Sequence, residues 1–453
     1  MMKKQRLRIS TTHIILLSFL IAILIGSVLL ALPISSADGK ATPFLDALFT
    51  ATTSTCVTGL VVAPTVTAWS LFGQIVILIL IQIGGLGVIT IMSGLMILLH
   101  KKMGIGDRLL LQDAFNLNSL SGLIRFVKKV VAGTFVVEGI GALLYMAVFI
   151  PQFGAKGIWI SVFTSISAFC NAGIDIIAEN SLCDYALNPI VNMVTCALII
   201  LGGIGYIVWW DVLRVLKKSR TKKGKIFGEL TLHSKIVITA TLILIFAGAG
   251  LIFVFEYNNP QTMGNYTLLQ KIQVSLFQSV TTRTAGFATI PQENLSNASA
   301  IVCLLLMFIG GSPVGTAGGI KTVTFAVLAA SAFASIRNKE DTEVFGRQLT
   351  KQAVSKAVAV TCMSFLIMFT STVLLSAVTN ANALDIFYET VSATATVGLT
   401  RNLTTSLSSI GKLIIIITMY LGRVGPISLA VAFKRRKDNQ NLIRNPIEEI
   451  SVG

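Results

Sequence analysis

The sequence predicts an all-α polytopic membrane protein built from four tandem span/pore-loop/span repeats around one pore. Three observations carry that fold class: a composition too apolar for a soluble chain, a Thr/Gly turn set between apolar runs, and the return of that turn at a period of about a quarter of the chain. Of the 453 residues 54% are hydrophobic and only 12% charged, with mean hydropathy +0.80, which overrides the soluble three-domain expectation that length alone suggests. Uncharged apolar runs long enough to span a bilayer recur at 14–32, 75–99, 236–255 and 358–378.

The turn is SVTTRTAGFATI, residues 279–290. It follows the amphipathic run LLQKIQVSLFQSV and precedes a polar loop and another apolar segment, an order that reads as descend, turn and return. Hydrocarbon offers backbone N–H and C=O groups no partner, so a turn at membrane depth must face protein or line an aqueous path. It is therefore expected to be a pore loop with carbonyl ligands. The unit recurs as TTSTCVTGLVV, SAFCNAGIDI and ATATVGLTRN. Anchored on Gly59, Gly173, Gly286 and Gly398, the copies lie 114, 113 and 112 residues apart. Each follows a short helix candidate marked by Phe49, Phe163, Phe277 or Phe387, at 10, 10, 9 and 11 residues, so the copies share a period without an identical register.

Repeat one is expected over 1–99, with spans at 13–32 and 70–99 and a re-entrant helix at 43–54. Its first span follows Lys3, Lys4, Arg6 and Arg8 as a signal peptide would, but its length and the lack of a small-residue cleavage site before Pro33 predict that it is retained. Repeat two, 100–216, has spans at 127–150 and 188–213. The second spans of both carry a Gly-Gly-x-Gly element, IQIGGLGVIT at 81–90 and IILGGIGYIV at 199–208. There Gly84, Gly85, Gly87, Gly202, Gly203 and Gly205 read as small residues that let helices approach closely.

Repeat three, 217–334, has spans at 232–256 and 299–334, and its version of that element is FIGGSPVGTAGGIKT. Each Gly costs ~1 kcal/mol and Pro ~3 kcal/mol relative to Ala in a helix. Gly310, Gly311, Ser312, Pro313, Gly315, Thr316, Gly318 and Gly319 are therefore expected to interrupt the span with an intramembrane loop. Repeat four, 335–453, has spans at 352–378 and 408–433, and YLGRVGPISLA puts Arg423 where repeats one and two have their second glycine. A charge at mid-membrane depth costs at least ~2.5 kcal/mol, so Arg423 is predicted to face the pathway. Snorkelling to the basic cluster 434–437 would be a strained alternative.

The net charge of +16 does not indicate nucleic acid. Of the 36 Lys and Arg residues, 28 fall before the first span, in 100–129, 214–235 and 336–356, and after 433. The positive-inside rule then makes the termini and the three inter-repeat linkers cytoplasmic, in a multi-pass protein of the cell membrane. Cys56, Cys170, Cys183, Cys196, Cys303 and Cys362 show no C-x-x-C spacing and read as small core residues. His13, His100 and His233 are scattered at span edges. Neither a phosphate loop, a dinucleotide fingerprint nor a catalytic dyad is present. The chain reads as no enzyme, without a cofactor of its own, and any ATP, ADP or NAD sensing belongs to a partner.

Stripping water from an alkali cation requires replacement oxygens, which backbone carbonyls around an axis supply without a fixed charge. The expected filter is Val57, Thr58 and Gly59 with Asn171, Ala172 and Gly173, then Thr284, Ala285 and Gly286 with Thr396, Val397 and Gly398. Glycine permits the backbone angles that turn carbonyls inward, and the preceding half-helices aim their partly negative C-termini at the same axis. With no acidic ring, the ion is expected to be monovalent. Asp175 follows only the second glycine, and reads as a loop residue before an outer attractor. A transporter of organic solutes would instead show inverted repeats and polar recognition groups at mid-depth.

Together the four loops, TTRTAGF at 281–287, the GGSPVGTAGG break and the GRVGP arginine resemble the Trk/Ktr/HKT superfamily of potassium transporters, most closely the membrane subunit of bacterial Ktr systems. Trk-type members carry two further N-terminal spans, which this chain does not show. The resemblance implies one pseudo-fourfold pore per chain, a homodimer in the lipid bilayer, and a cytosolic ring of nucleotide-binding regulator subunits. It implies potassium as the substrate, Gly310–Gly319 as a gate below the filter and Arg423 narrowing the same cavity. Sodium, as activator or symported ion, is common in such systems. Some plant sodium-selective relatives carry Ser at the first filter glycine, so Gly59 favours potassium over a sodium-selective carrier of the same fold.

Overall fold

The computed structural model describes residues 11–98, 104, 122–219, 226–339 and 341–425. Its regular structure is helical apart from one short antiparallel ladder, Glu343–Val344 with Arg347–Gln348. The chain opens with α1 (Thr11–Ala31), α2 (Phe44–Cys56), α3 (Leu71–Leu86) and α4 (Val88–Leu98). The same order returns as α5 (Leu123–Phe153), α6 (Lys156–Phe169), α7 (Pro189–Gly203) and α8 (Tyr206–Ser219), and again as α9 (Leu232–Glu256), α10 (Leu268–Thr281), α11 (Asn297–Phe308) and α12 (Thr322–Ile336). It ends with α13 (Lys351–Val378), α14 (Ala383–Ala395) and α15 (Ser409–Val424).

The helices α1, α5, α9 and α13 are long and apolar enough to cross a membrane. They present side chains such as Ile21, Leu143, Phe246 and Phe369 outward, as an acyl-chain solvent permits. By contrast, α2, α6, α10 and α14 run inward and bury their C-terminal halves; residues 50–60 are buried without interruption. Phe49, Phe163 and Phe277 seat these half-helices in the core. In the fourth the buried aromatic is Tyr388, and the expected Phe387 is only half-buried. Tyr388 stands 10 residues before Gly398, so the spacing of the first two copies is kept.

The expected continuous spans at 70–99 and 188–213 are broken. Gly87 and Gly205 take φ of +84° and +90°, outside any helix, and the chain turns by 99° between α7 and α8. In the third repeat unit the break is the loop 309–321, and in the fourth α15 stops before Gly425, at φ +87°. Gly-Gly-x-Gly therefore has two effects. The leading glycines do bring helices close: a Cβ on Gly84, Gly202 or Gly422 would lie 2.1, 1.9 or 2.1 Å from the carbonyl oxygen of Thr55, Phe169 or Thr394. The last glycine ends the helix. Of the cysteines, Cys56, Cys170 and Cys303 are buried, whereas Cys362 is exposed and is no core residue.

Candidate functional site

The C-terminal ends of α2, α6, α10 and α14 meet, and each continues through the same two-step turn. Val57, Asn171, Thr284 and Thr396 all lie in the left-handed region, at φ of 53–66°, and the glycine two residues on does too. For side chains branched at Cβ this backbone costs about 1–3 kcal/mol, which the surrounding structure must hold. Hydroxyls in the half-helices provide part of the hold. Thr53 Oγ1 accepts from the Gly59 amide at 3.0 Å and Ser392 Oγ from the Gly398 amide at 3.0 Å. Ser167 and Thr281 donate to the carbonyls of Ile174 and Phe287 at 2.5 and 2.6 Å.

The twelve expected filter residues are brought together; eleven are buried and Gly173 is half-buried. A Cβ on Gly59 would stand 2.5 Å from the Ala172 oxygen, and on Gly173 2.5 Å from that of Ala285. On Gly286 it would stand 2.3 Å from that of Val397, and on Gly398 2.3 Å from that of Thr58. These approaches run from the first loop to the second, third and fourth and back to the first. Four glycines and four preceding carbonyls thus close one ring in chain order, with no room for a side chain on any of them.

The loop 309–321 adjoins this ring. Its amides cap a helix end: Ser312 and Thr316 N–H donate to the Gly203 and Gly202 carbonyls at 2.8 and 3.1 Å, which the break after α7 leaves without intrahelical partners. The Tyr206 amide donates in return to the Val314 carbonyl at 3.0 Å, and the Pro313 oxygen fills the notch at Gly205. Thr316 Oγ1 reaches the Phe169 carbonyl at 3.0 Å, and the hydroxyls of Ser312 and Thr322 pair at 2.8 Å. The Gly318 amide donates to Thr284 Oγ1 at 3.1 Å, which joins the loop to the turn after α10.

Arg423 does not snorkel. Its guanidinium donates to the Thr316 carbonyl at 2.7 Å and to the Gly84 carbonyl, near the end of α3, at 2.5 Å. A cation is at home against a helix C-terminus, so Arg423 serves α3 as the loop amides serve α7. A cavity of about 370 Å3 abuts the same place, bounded by Gly84–Val88, Thr394, Ala395, Gly318–Lys321 and Arg423.

Sequence reasoning missed two basic groups here. Lys321 also lines the cavity and donates to the Ala317 carbonyl at 2.5 Å. Arg283 is buried behind the third loop, 3.5 Å from both Thr241 Oγ1 and the Gly310 carbonyl. The available signal was a charge within an otherwise apolar span or pore motif.

The cation transport protein family TrkH matches residues 2–444. The chain is 40% identical to the Ktr system potassium uptake protein B of Bacillus subtilis (strain 168), over 98% of this chain and 97% of the relative. It is 39% identical to the potassium/sodium uptake protein NtpJ of Enterococcus hirae, over 100% and 99%. Its fold resembles the crystal structure of the potassium transporter TrkH from Vibrio parahaemolyticus, with a TM-score of 0.74 and 16% identity over 96% of this chain and 87% of that one.

Proposed function

The chain belongs to the TrkH family of cation transport proteins, and from that premise we propose that it takes up potassium across the cell membrane through the ring of Gly59, Gly173, Gly286 and Gly398. It is a membrane cation transporter and not an enzyme. The observation that carries the choice of path is the closed ring itself. Backbone carbonyls converge where four glycines leave no space for side chains, so the only ligands on offer are neutral oxygens suited to a dehydrated monovalent ion.

In this proposal the loop from Gly310 to Gly319 is the gate. It is held shut by hydrogen bonds to α7 and by Arg423, whose charge also opposes a cation in the cavity. Opening breaks those bonds. The energy comes from a cytosolic nucleotide-binding ring acting on a homodimer whose termini and linkers face the cytoplasm; the names of the Ktr-system relatives, as components of a system, support a separate regulator.

Tracer uptake by the purified full chain in liposomes tests the reading. Potassium entry should exceed sodium entry, and equal or reversed preference would remove it. A second reading, with sodium as a transported or activating ion, has one specific support: the relative from Enterococcus hirae is named for potassium and sodium together. Acceleration of potassium entry by added sodium would favour that reading.

A further inference from the structure

The third repeat unit departs from the others at three points, and they lie together. It carries the loop 309–321. Its filter turn is one residue shorter, with the bracing hydroxyl of Thr281 five residues before Gly286, where Thr53, Ser167 and Ser392 stand six before theirs. It also holds Arg283 where the other turns have Cys56, Cys170 and Ala395, each three residues before its glycine.

The loop has a pinched neck. A Cβ on Gly310 would lie 2.0 Å from the Gly318 carbonyl oxygen, and the Ile320 amide donates to the Phe308 carbonyl at 3.1 Å. We propose that Arg283 and Thr284 clasp the two sides of this neck, so that the third filter strand and the loop shift together. The guanidinium of Arg283 reaches the Gly310 carbonyl at 3.5 Å, and the hydroxyl of Thr284 accepts the Gly318 amide at 3.1 Å. The Arg283 carbonyl in turn accepts from Asn171 Nδ2 at 3.4 Å, which ties the clasp to the second filter strand.

The two halves differ in strength. Thr284 makes an ordinary hydrogen bond in a water-poor site, where such a bond is worth more than in water. Arg283 sits at the outer limit of bonding distance on both Gly310 and Thr241, and its Nη1 has no partner among the described residues. A buried donor left so incompletely paired favours any loop position that satisfies it better. The Arg283 side therefore yields first, and the Thr284 side sets the threshold. Arg423, which holds the middle of the loop at Thr316, is a separate latch.

The clasp deepens the gating reading and rests on it, so the experiment separates the two. Valine is admissible at 284 because Val57 holds the matching position at nearly the same φ, 57° against 66°. Methionine at 283 keeps length and removes a buried charge, a change that need not destabilise. Hydrogen–deuterium exchange of the full chain in nanodiscs is compared with rubidium flux in liposomes for Thr284→Val, Thr284→Ser and Arg283→Met.

Exchange across 308–322 should rise about fivefold in Thr284→Val, the factor set by one net hydrogen bond. It should fall back in Thr284→Ser, which keeps the acceptor, and rise near residue 310 in Arg283→Met. Rubidium flux should follow exchange. Unchanged exchange in both Thr284→Val and Arg283→Met overturns the clasp, as does a rise spread equally over α10 and the four filter turns, which would mean that the pair braces the filter alone. Local loosening with unchanged flux leaves the clasp standing and overturns the loop as gate.

Discussion

A Cβ on Gly59 would meet the Ala172 carbonyl oxygen at 2.5 Å from a backbone at φ +93°, so a side chain there is strained twice over. Backbone cannot yield as a flexible side chain would. Gly59→Ser must push the first and second loops apart and widen the ring on one side. The expected result is a drop in the potassium-to-sodium flux ratio of about tenfold, the equivalent of 1.4 kcal/mol of lost discrimination. An unchanged ratio at normal expression would remove Gly59 from the filter. Arg423 works differently, because its guanidinium bonds two carbonyls while it faces the cavity. Arg423→Ala should raise flux by releasing Thr316 and leaving the Gly84 carbonyl to water, with the flux ratio preserved. Lys321 nearby would keep part of the electrostatic obstacle, so the gain should be smaller than that of opening the loop outright.

Among the elements, 309–321 carries the most consequence for its size. Composition alone suggests that a Gly/Ser/Thr segment moves at little cost, since it has few side chains to pack. The structure corrects that picture: the amides of Ser312 and Thr316, the Val314 carbonyl and the Thr316 hydroxyl are all bonded to α6, α7 or α8. At about 0.5–1.5 kcal/mol net for each bond, opening asks for several kcal/mol, within what a docked regulator can supply. Deleting 312–318 should raise basal flux and leave selectivity intact. If flux is lost in a protein that still folds, the segment is a support and the gate lies elsewhere. The loop was legible in the sequence because five glycines and a proline in ten residues have no helical solution. The breaks at Gly87 and Gly205 were not, since Gly-Gly-x-Gly serves close packing equally well and the positive φ at Gly205 accompanies a tertiary contact, the Pro313 oxygen in its notch. Tyr388 escaped for a similar reason: Phe387 beside it carries the expected residue type, and only burial tells which ring turns inward.

At the scale of the molecule, the ring closes only if the last repeat unit meets the first. Lys412 Nζ pairs with Asp46 at 2.5 Å, and Tyr420 donates to the Leu16 carbonyl at 3.0 Å across most of the chain length. Arg401 pairs with Asp385 and bonds the Gln292 carbonyl at 2.9 Å, joining the fourth unit to the third. Within that closed assembly α8 bonds the loop directly. The 99° turn carries it away from the axis of α7, and its first amide, at Tyr206, holds the Val314 carbonyl. Its far end bears Lys217 and Lys218, both exposed, with Lys218 pairing to Glu229 at 2.6 Å; Lys222 and Lys223 lie outside the described residues. A regulator with an acidic contact surface would gain its grip on these lysines, and any displacement of α8 would pull on the loop through Tyr206. Neutralising Lys217, Lys218, Lys222 and Lys223 together should therefore weaken regulator binding, with a loss that grows less at high salt as screening replaces the charges. Nucleotide-dependent flux should fall with it, while flux of the chain alone stays as it was. If binding and nucleotide response both persist, the lysines serve only to orient the chain in the membrane, and the lever must be sought in another cytoplasmic element.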